Sequence, residues 1–191
     1  WNKFNKSFKI LLTAHTQPYT EYYLSSASIR ITQIVRRMKN LRFYRSFASS
    51  ASSKLIKPEV LKKVCEDILI QSGSSAKEAS IVASNLVESN LKGHDSHGVG
   101  YLPRYIRAAM DKEININAKP DIVIENNFVK VDGKVCYGQV VGLEAMDVGI
   151  SVAKKYGMSI VALKNSHHLG RIGAWAEQVI QHNLVRIHFT N

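Results

Sequence analysis

From residue 58 onward the apolar positions fall first at helical and then at strand spacing. Pro58 stands where the first turn of a helix has no N–H bond to lose. Val60, Leu61, Val64, Ile68 and Leu69 follow at mostly three- and four-residue steps, which predicts an amphipathic helix closing near Gly73. Ser75-x-x-Glu78 reads as a capping box for a second helix, one that buries Ala79, Val82, Leu86 and Val87 and stops at Gly93. A third stripe, Val99, Leu102, Ile106, Ala109 and Met110, has Pro103 in its first turn and Arg104, Arg107 and Asp111 on the opposite face. Short strands are then expected at Asp121–Glu125 and Phe128–Val131, joined by an Asn126-Asn127 turn.

Residues 140–155 read as another amphipathic helix, with Val141, Ala145, Val148 and Val152 inward and Gly157 closing it. Met158–Leu163 is almost continuously apolar, the pattern of a strand covered on both faces. A polar knot follows, then a helix with Ile172, Trp175, Ala176, Val179 and Ile180 inward, then a strand from Leu184 to Thr190. Strand, loop, helix, strand is a βαβ unit with parallel strands, so the fold class is α/β, with N-terminal helices followed by a mixed sheet. The last strand is expected to be central in that sheet, and the chain therefore reads as the N-terminal part of a longer enzyme.

Charge changes the picture of the first 57 residues. Residues 1–58 hold eleven Lys and Arg against the single acid Glu21, whereas residues 59–191 hold fifteen against fourteen. The net +11 is thus a property of the leader, which disfavours a nucleic-acid-binding body. Met38 to Lys54 is rich in Arg, Ser and Ala and has no acid, as organellar transit peptides are. Residues 1–57 are read as a disordered basic leader with a mitochondrial destination, the alternative being a cytoplasmic protein with a basic tail. Residues 58–115 are read as a helical part and 116–191 as the start of an α/β part. Cys65 and Cys136 form no CxxC pair or disulfide framework, and no apolar run is long enough to span a bilayer, so no membrane partner is expected.

Chemistry concentrates in two loops. Gly93-His94-Asp95-Ser96-His97-Gly98 and Asn165-Ser166-His167-His168-Leu169-Gly170 hold four of the seven histidines. Histidine exchanges protons near neutral pH, and an Asp-Ser-His run can orient an imidazole through one nitrogen while the other handles a proton. The second loop leads from a strand into a helix N-terminus, a setting that favours phosphate or carboxylate. There Gly170 and Gly173 would admit a ligand or serve a tight connection, and Arg171 adds a cation. Arg104, one turn beyond the first loop, could hold a carboxylate. With neither a helical His-x-x-x-His pair nor a Cys/His quartet, no metal is assigned.

Gly93-His94-Asp95-Ser96-His97-Gly98-Val99-Gly100-Tyr101-Leu102-Pro103-Arg104-Tyr105 resembles the hallmark segment of the malate/L-lactate dehydrogenase type 2 family of NAD(P)-dependent 2-hydroxyacid oxidoreductases. Asn165 to Gly173, with Trp175-Ala176-Glu177-Gln178 after it, resembles the family's second signature. The similarity runs from Lys57 to Asn191 and is greatest to the hydroxycarboxylate dehydrogenase B subgroup. It implies a fold distinct from the Rossmann fold, a homodimer, and hydride transfer between NAD or NADP and a 2-hydroxy or 2-oxo acid. It also implies that His97 binds substrate and moves a proton, that His168 is an acid/base, and that Gly170, Arg171 and Ile172 contact the cofactor. Many members carry Arg where this chain has Tyr101, which shifts the expected carboxylate grip to Arg104. The alternative is a non-catalytic truncated product of such an enzyme.

Overall fold

A computed structural model describes residues 10–16 and 55–190. Strand β1 is Ile10–Thr16, helix α1 Pro58–Gln71 and helix α2 Ala76–Leu91. Two short 3-10 turns, Asp95–His97 and Val99–Tyr101, lead into α3, Leu102–Met110. Strands β2 (Asp121–Glu125) and β3 (Phe128–Asp132) precede the long helix α4, Gly138–Tyr156. Strand β4 (Met158–Lys164), helix α5 (Gly173–Ile180) and strand β5 (Val185–Thr190) complete the order.

The five strands form one mixed sheet in the order β2-β3-β4-β1-β5. β2 and β3 are an antiparallel hairpin, while β3, β4, β1 and β5 run parallel to one another. The hairpin turns at Asn126, whose φ of 55° is one that Asn tolerates. Two expectations change here. The leader contributes a strand, since β1 lies between β4 and β5 with seven paired positions on the β4 side. As a result β5 is an edge strand of this sheet, and the βαβ crossover through α5 skips one strand. The remaining expectations about residues 1–57, the transit-like run included, fall outside the described residues apart from Leu55 to Lys57. Among the described residues no helix is long and apolar enough to cross a membrane.

Two apolar clusters hold the fold together. One lies among the helices and includes Cys65, Leu69, Val82, Leu86, Tyr105 and Ile106. The other lies between sheet and helices and includes Val129, Val131, Val161, Leu163, Trp175 and Val179. Helix α4 is their common wall: Val140 belongs to the first and the adjacent Val141 to the second. The helical cluster therefore reaches past residue 115, taking in Tyr137 and Val140. Strand β4 buries Ser159, Val161 and Leu163 on one face and leaves Ile160 and Ala162 half-buried on the other, so only one face is fully covered. Three residues expected inward, Val60, Met110 and Ile180, are exposed at the ends of their stripes.

The helix-start prediction at Ser75 is half realised. Ser75 Oγ accepts from Glu78 N at 3.3 Å, but Glu78 does not return the bond. Its buried carboxylate accepts from the Asn117 N–H at 3.0 and 3.2 Å, and Ser75 N–H donates to Asn117 Oδ1 at 2.6 Å. A residue forty positions away thus replaces the local partner, and it ties the loop after α3 to the start of α2. Burial raises the Glu78 carboxyl above its ordinary value, against the bonds from Ser74 and Asn117.

Candidate active site

The first loop is built on Asn90, in the last turn of α2. Asn90 Nδ2 donates to Asp95 Oδ1 at 2.6 Å, and Asn90 Oδ1 accepts from the Val99 N–H at 2.7 Å. A side chain at Gly98 would stand 2.2 Å from Asn90 Oδ1, so only glycine lets the loop close on this clamp. Asp95 is engaged by Asn90, and it is Ser96 whose Oγ lies 2.9 Å from His97 Nδ1. The expected orienting contact on one nitrogen of His97 is present, with the hydroxyl as partner. Burial, then the neighbouring His94, lowers the His97 pKa, which favours the neutral form of the ring. His94 is exposed, with Nδ1 3.2 Å from the Lys92 carbonyl oxygen.

The second loop leaves the carboxyl end of β4 and is fixed largely by backbone. His167 N–H donates to Cys136 O at 3.1 Å, and Gly133 N–H to Lys164 O at 2.8 Å. A Cβ at Gly138 would fall 2.2 Å from the His168 carbonyl oxygen, so α4 starts directly against this loop. His167 is held at a pKa of about 4, by burial first and by Arg104 second.

Folding brings His97 and His168 together, as the sequence suggested. Their rings stack with centroids 5.2 Å apart and planes 24° apart. Tyr101 stacks on His168 at 4.5 Å and 19°. The Arg104 guanidinium lies 5.2 Å from the Tyr101 ring centroid, and burial raises the Tyr101 phenol pKa against the opposing pull of Arg104. Tyr105 Oη is 2.9 Å from His168 Nδ1 and accepts from Gln139 Nε2 at 2.5 Å. The result is a stacked aromatic wall with an exposed cation, Arg104, at its side.

Three of the expected ligand features have internal explanations. Gly170 has φ +72°, and a Cβ there would stand 2.5 Å from Asn85 Oδ1; one at Gly173 would stand 2.5 Å from Arg171. Packing within the chain therefore accounts for both glycines. The buried Arg171 guanidinium makes a bidentate pair with Glu177 at 2.8 and 2.9 Å, and Lys92 also reaches Glu177 at 2.8 Å. The Arg171 bond holds the Glu177 carboxyl down at about 2. Arg171 is thus a neutralised cation, and an anion at this turn would meet the backbone of Gly170, Arg171 and Ile172 rather than a bare guanidinium. No group of three His, Cys, Asp or Glu side chains suited to a metal ion occurs among the described residues.

Asn90, Tyr105 and Gln139 carry roles that sequence reading did not assign. Tyr105 sits one position past Arg104 in the first signature, and Gln139 lies at the start of α4. Neither has a chemical motif around it, because Tyr105 meets His168 from a loop distant in sequence and Gln139 is linked to that ring only through Tyr105.

The sequence profile of the malate/L-lactate dehydrogenase family matches residues 56–191. Hydroxycarboxylate dehydrogenase B of Escherichia coli O157:H7 is 43% identical over 134 residues, which are 70% of this chain and 37% of that protein. Among solved structures, malate dehydrogenase from Entamoeba histolytica aligns with a TM-score of 0.65 at 32% identity, covering 69% of this chain and 37% of that one. Sulfolactate dehydrogenase from Methanocaldococcus jannaschii aligns with a TM-score of 0.61 at 39% identity, covering 65% and 37%. The chain therefore spans about 37% of the length of these relatives. From the two loops, the sheet that carries them and these matches, we conclude that the chain belongs to the malate/L-lactate dehydrogenase family.

Proposed function

We propose that the protein carrying this chain is an oxidoreductase that moves hydride between a nicotinamide cofactor, NAD or NADP, and a 2-hydroxy or 2-oxo acid. The observation that carries the reading is the stacking of His97 on His168, rings from two loops set on different elements. Oxidising a 2-hydroxy acid needs a base for the hydroxyl proton as hydride leaves carbon. A neutral, partly buried imidazole in contact with a second one meets that need. The bound nicotinamide supplies the hydride acceptor, and orientation and proton handling fall to the protein.

The turn at Gly170, Arg171 and Ile172 fits such a cofactor through its backbone. It precedes the α5 N-terminus at the carboxyl end of β4, where orphan N–H groups favour an anionic group. Buried Arg171 Nε and His167 Nδ1, both without a hydrogen-bond partner, lie in the same loop. Arg104, exposed beside Tyr101, is the group we assign to the substrate carboxylate, in a subunit that pairs with a second copy. The helical part, residues 58–115, would carry the substrate loop, and residues 116–191 would begin the cofactor-binding part. The acid-free, Arg- and Ser-rich stretch from Met38 to Lys54 supports delivery to mitochondria.

The test is steady-state turnover of the intact protein with a panel of 2-hydroxy acids and both nicotinamide cofactors. His168→Ala and His97→Ala are each expected to lower kcat roughly 10²- to 10⁴-fold. Unchanged turnover in both variants would refute the assigned roles. Arg104→Gln is expected to raise KM for the acid without changing that for the cofactor.

A further inference from the structure

The His168 ring is held through one nitrogen by a short chain of hydrogen bonds that begins in the core. Gln139 is completely buried near the start of α4, and its Nε2 donates to Tyr105 Oη at 2.5 Å. Tyr105 is also completely buried, and its Oη lies 2.9 Å from His168 Nδ1. A phenol has one proton to give. With Gln139 donating to its oxygen, that proton is available to His168 Nδ1. A neutral imidazole accepting at Nδ1 must carry its own proton on Nε2.

We infer that Tyr105 and Gln139 are positioning residues that set the tautomer of His168, holding the resting ring with its proton on Nε2. The inference rests on the assignment of His168 as acid/base and gives that assignment a direction. In this state Nε2 offers a hydrogen bond to the carbonyl oxygen of a 2-oxo acid. To accept a proton from a hydroxy acid, the ring must first carry its proton on Nδ1 and leave Nε2 bare. Gln139 provides for that reversal, because its Oε1 is buried without a hydrogen-bond partner. Turning the amide over presents Oε1 to the Tyr105 hydroxyl. In that polarity the Tyr105 O–H donates to Gln139 Oε1 and Tyr105 Oη accepts from His168 Nδ1–H, the ring having given its Nε2 proton to solvent and taken one at Nδ1. The substrate hydroxyl proton then moves to the bare Nε2 and leaves an imidazolium. Before a substrate proton is taken up, each polarity leaves the three side chains neutral and gives Tyr105 Oη one bond to Gln139 and one to His168. Gly138 makes the arrangement possible, since a Cβ there would strike the His168 carbonyl and push the helix start away.

The experiment is nitrogen NMR of the intact protein labelled at its histidine rings, without substrate, with His168→Gln identifying the resonance. A protonated Nε2 and an unprotonated Nδ1 are expected, and a mixture of tautomers in Tyr105→Phe, which removes only the hydroxyl. Gln139→Leu is expected to give the same mixture, and it stands in should Tyr105→Phe fold poorly. A ring found with its proton on Nδ1, or a tautomer unmoved in the variants, would overturn the inference. Because no turnover is needed, this outcome is independent of whether the protein proves to be a 2-hydroxyacid dehydrogenase. Where turnover is measured, Tyr105→Phe is expected to lower kcat about tenfold, the worth of one neutral hydrogen bond, with KM for the cofactor unchanged and a shifted pH profile.

Discussion

The two histidine loops have similar sequences and sit at different depths in the fold. The first perches at the end of α2, with His94, Asp95 and Ser96 exposed, and is clamped by the Asn90 side chain beside backbone bonds such as His94 N–H to Ser89 O at 2.8 Å. The second is set into the fold, with Ser166, Leu169, Gly170 and Arg171 buried and its backbone bonded to Cys136. The second loop is thus built into the core, whereas the first lies at the surface.

That contrast makes ordered predictions for stability. The largest effect is expected from Gly138→Ala, whose methyl would meet the backbone carbonyls of His167 and His168 at 2.5 and 2.2 Å. Backbone cannot yield as a side chain can, so chemical denaturation should show a loss of roughly 2–3 kcal/mol. A loss below about 0.5 kcal/mol would mean that the second loop is not rigid.

The acid response of His167 comes next. Its folded pKa of about 4 lies below the ordinary 6.5, so between those values the unfolded chain binds the extra proton. Its contribution is complete above pH 6.5 and fades as pH falls to 4, on the order of 2 kcal/mol after solvent screening. Denaturation of His167→Asn across this window should show a flatter pH dependence than the parent protein. Glu177→Ala would leave the buried Arg171 with only solvent to replace its bidentate partner, at a cost of roughly 1–2 kcal/mol. Smallest of all is Gly100→Ala in the 3-10 turn just after the first loop, where a Cβ would meet nothing within 4 Å. A change within about 0.5 kcal/mol is expected there.

What could be read from the sequence divides along the same line. Spacing alone located α2, the hairpin around Asn126, and the helix that follows the second loop, because each depends on residues a few positions apart. The clustering of histidines and the glycine brackets marked both loops. The partners that fix them were not legible. Asn117 displaces Glu78 from its capping bond across the fold, Glu177 neutralises Arg171 from beyond one helical turn, and Tyr105 reaches His168 from helix α3. Strand β1 was missed for a related reason: Ile10–Thr16 has weak alternation of its own, and its pairing is entirely with distant strands. The exposure of Val60, Met110 and Ile180 shows how periodicity overruns near helix ends, where the facing element has already stopped.

The close seat of α5 on α4 has an optical consequence. A side chain at Gly142 would stand 2.7 Å from the Trp175 indole, which lies almost wholly buried against that glycine. The chain holds two tryptophans, the other being Trp1. A Trp1→Phe protein would therefore emit, within this chain, from one indole seated between the two helices and a short distance along α5 from the second histidine loop. Its emission wavelength would report the helix contact directly, and quenching on titration with a nicotinamide nucleotide would register occupancy of the neighbouring turn without any chemistry taking place.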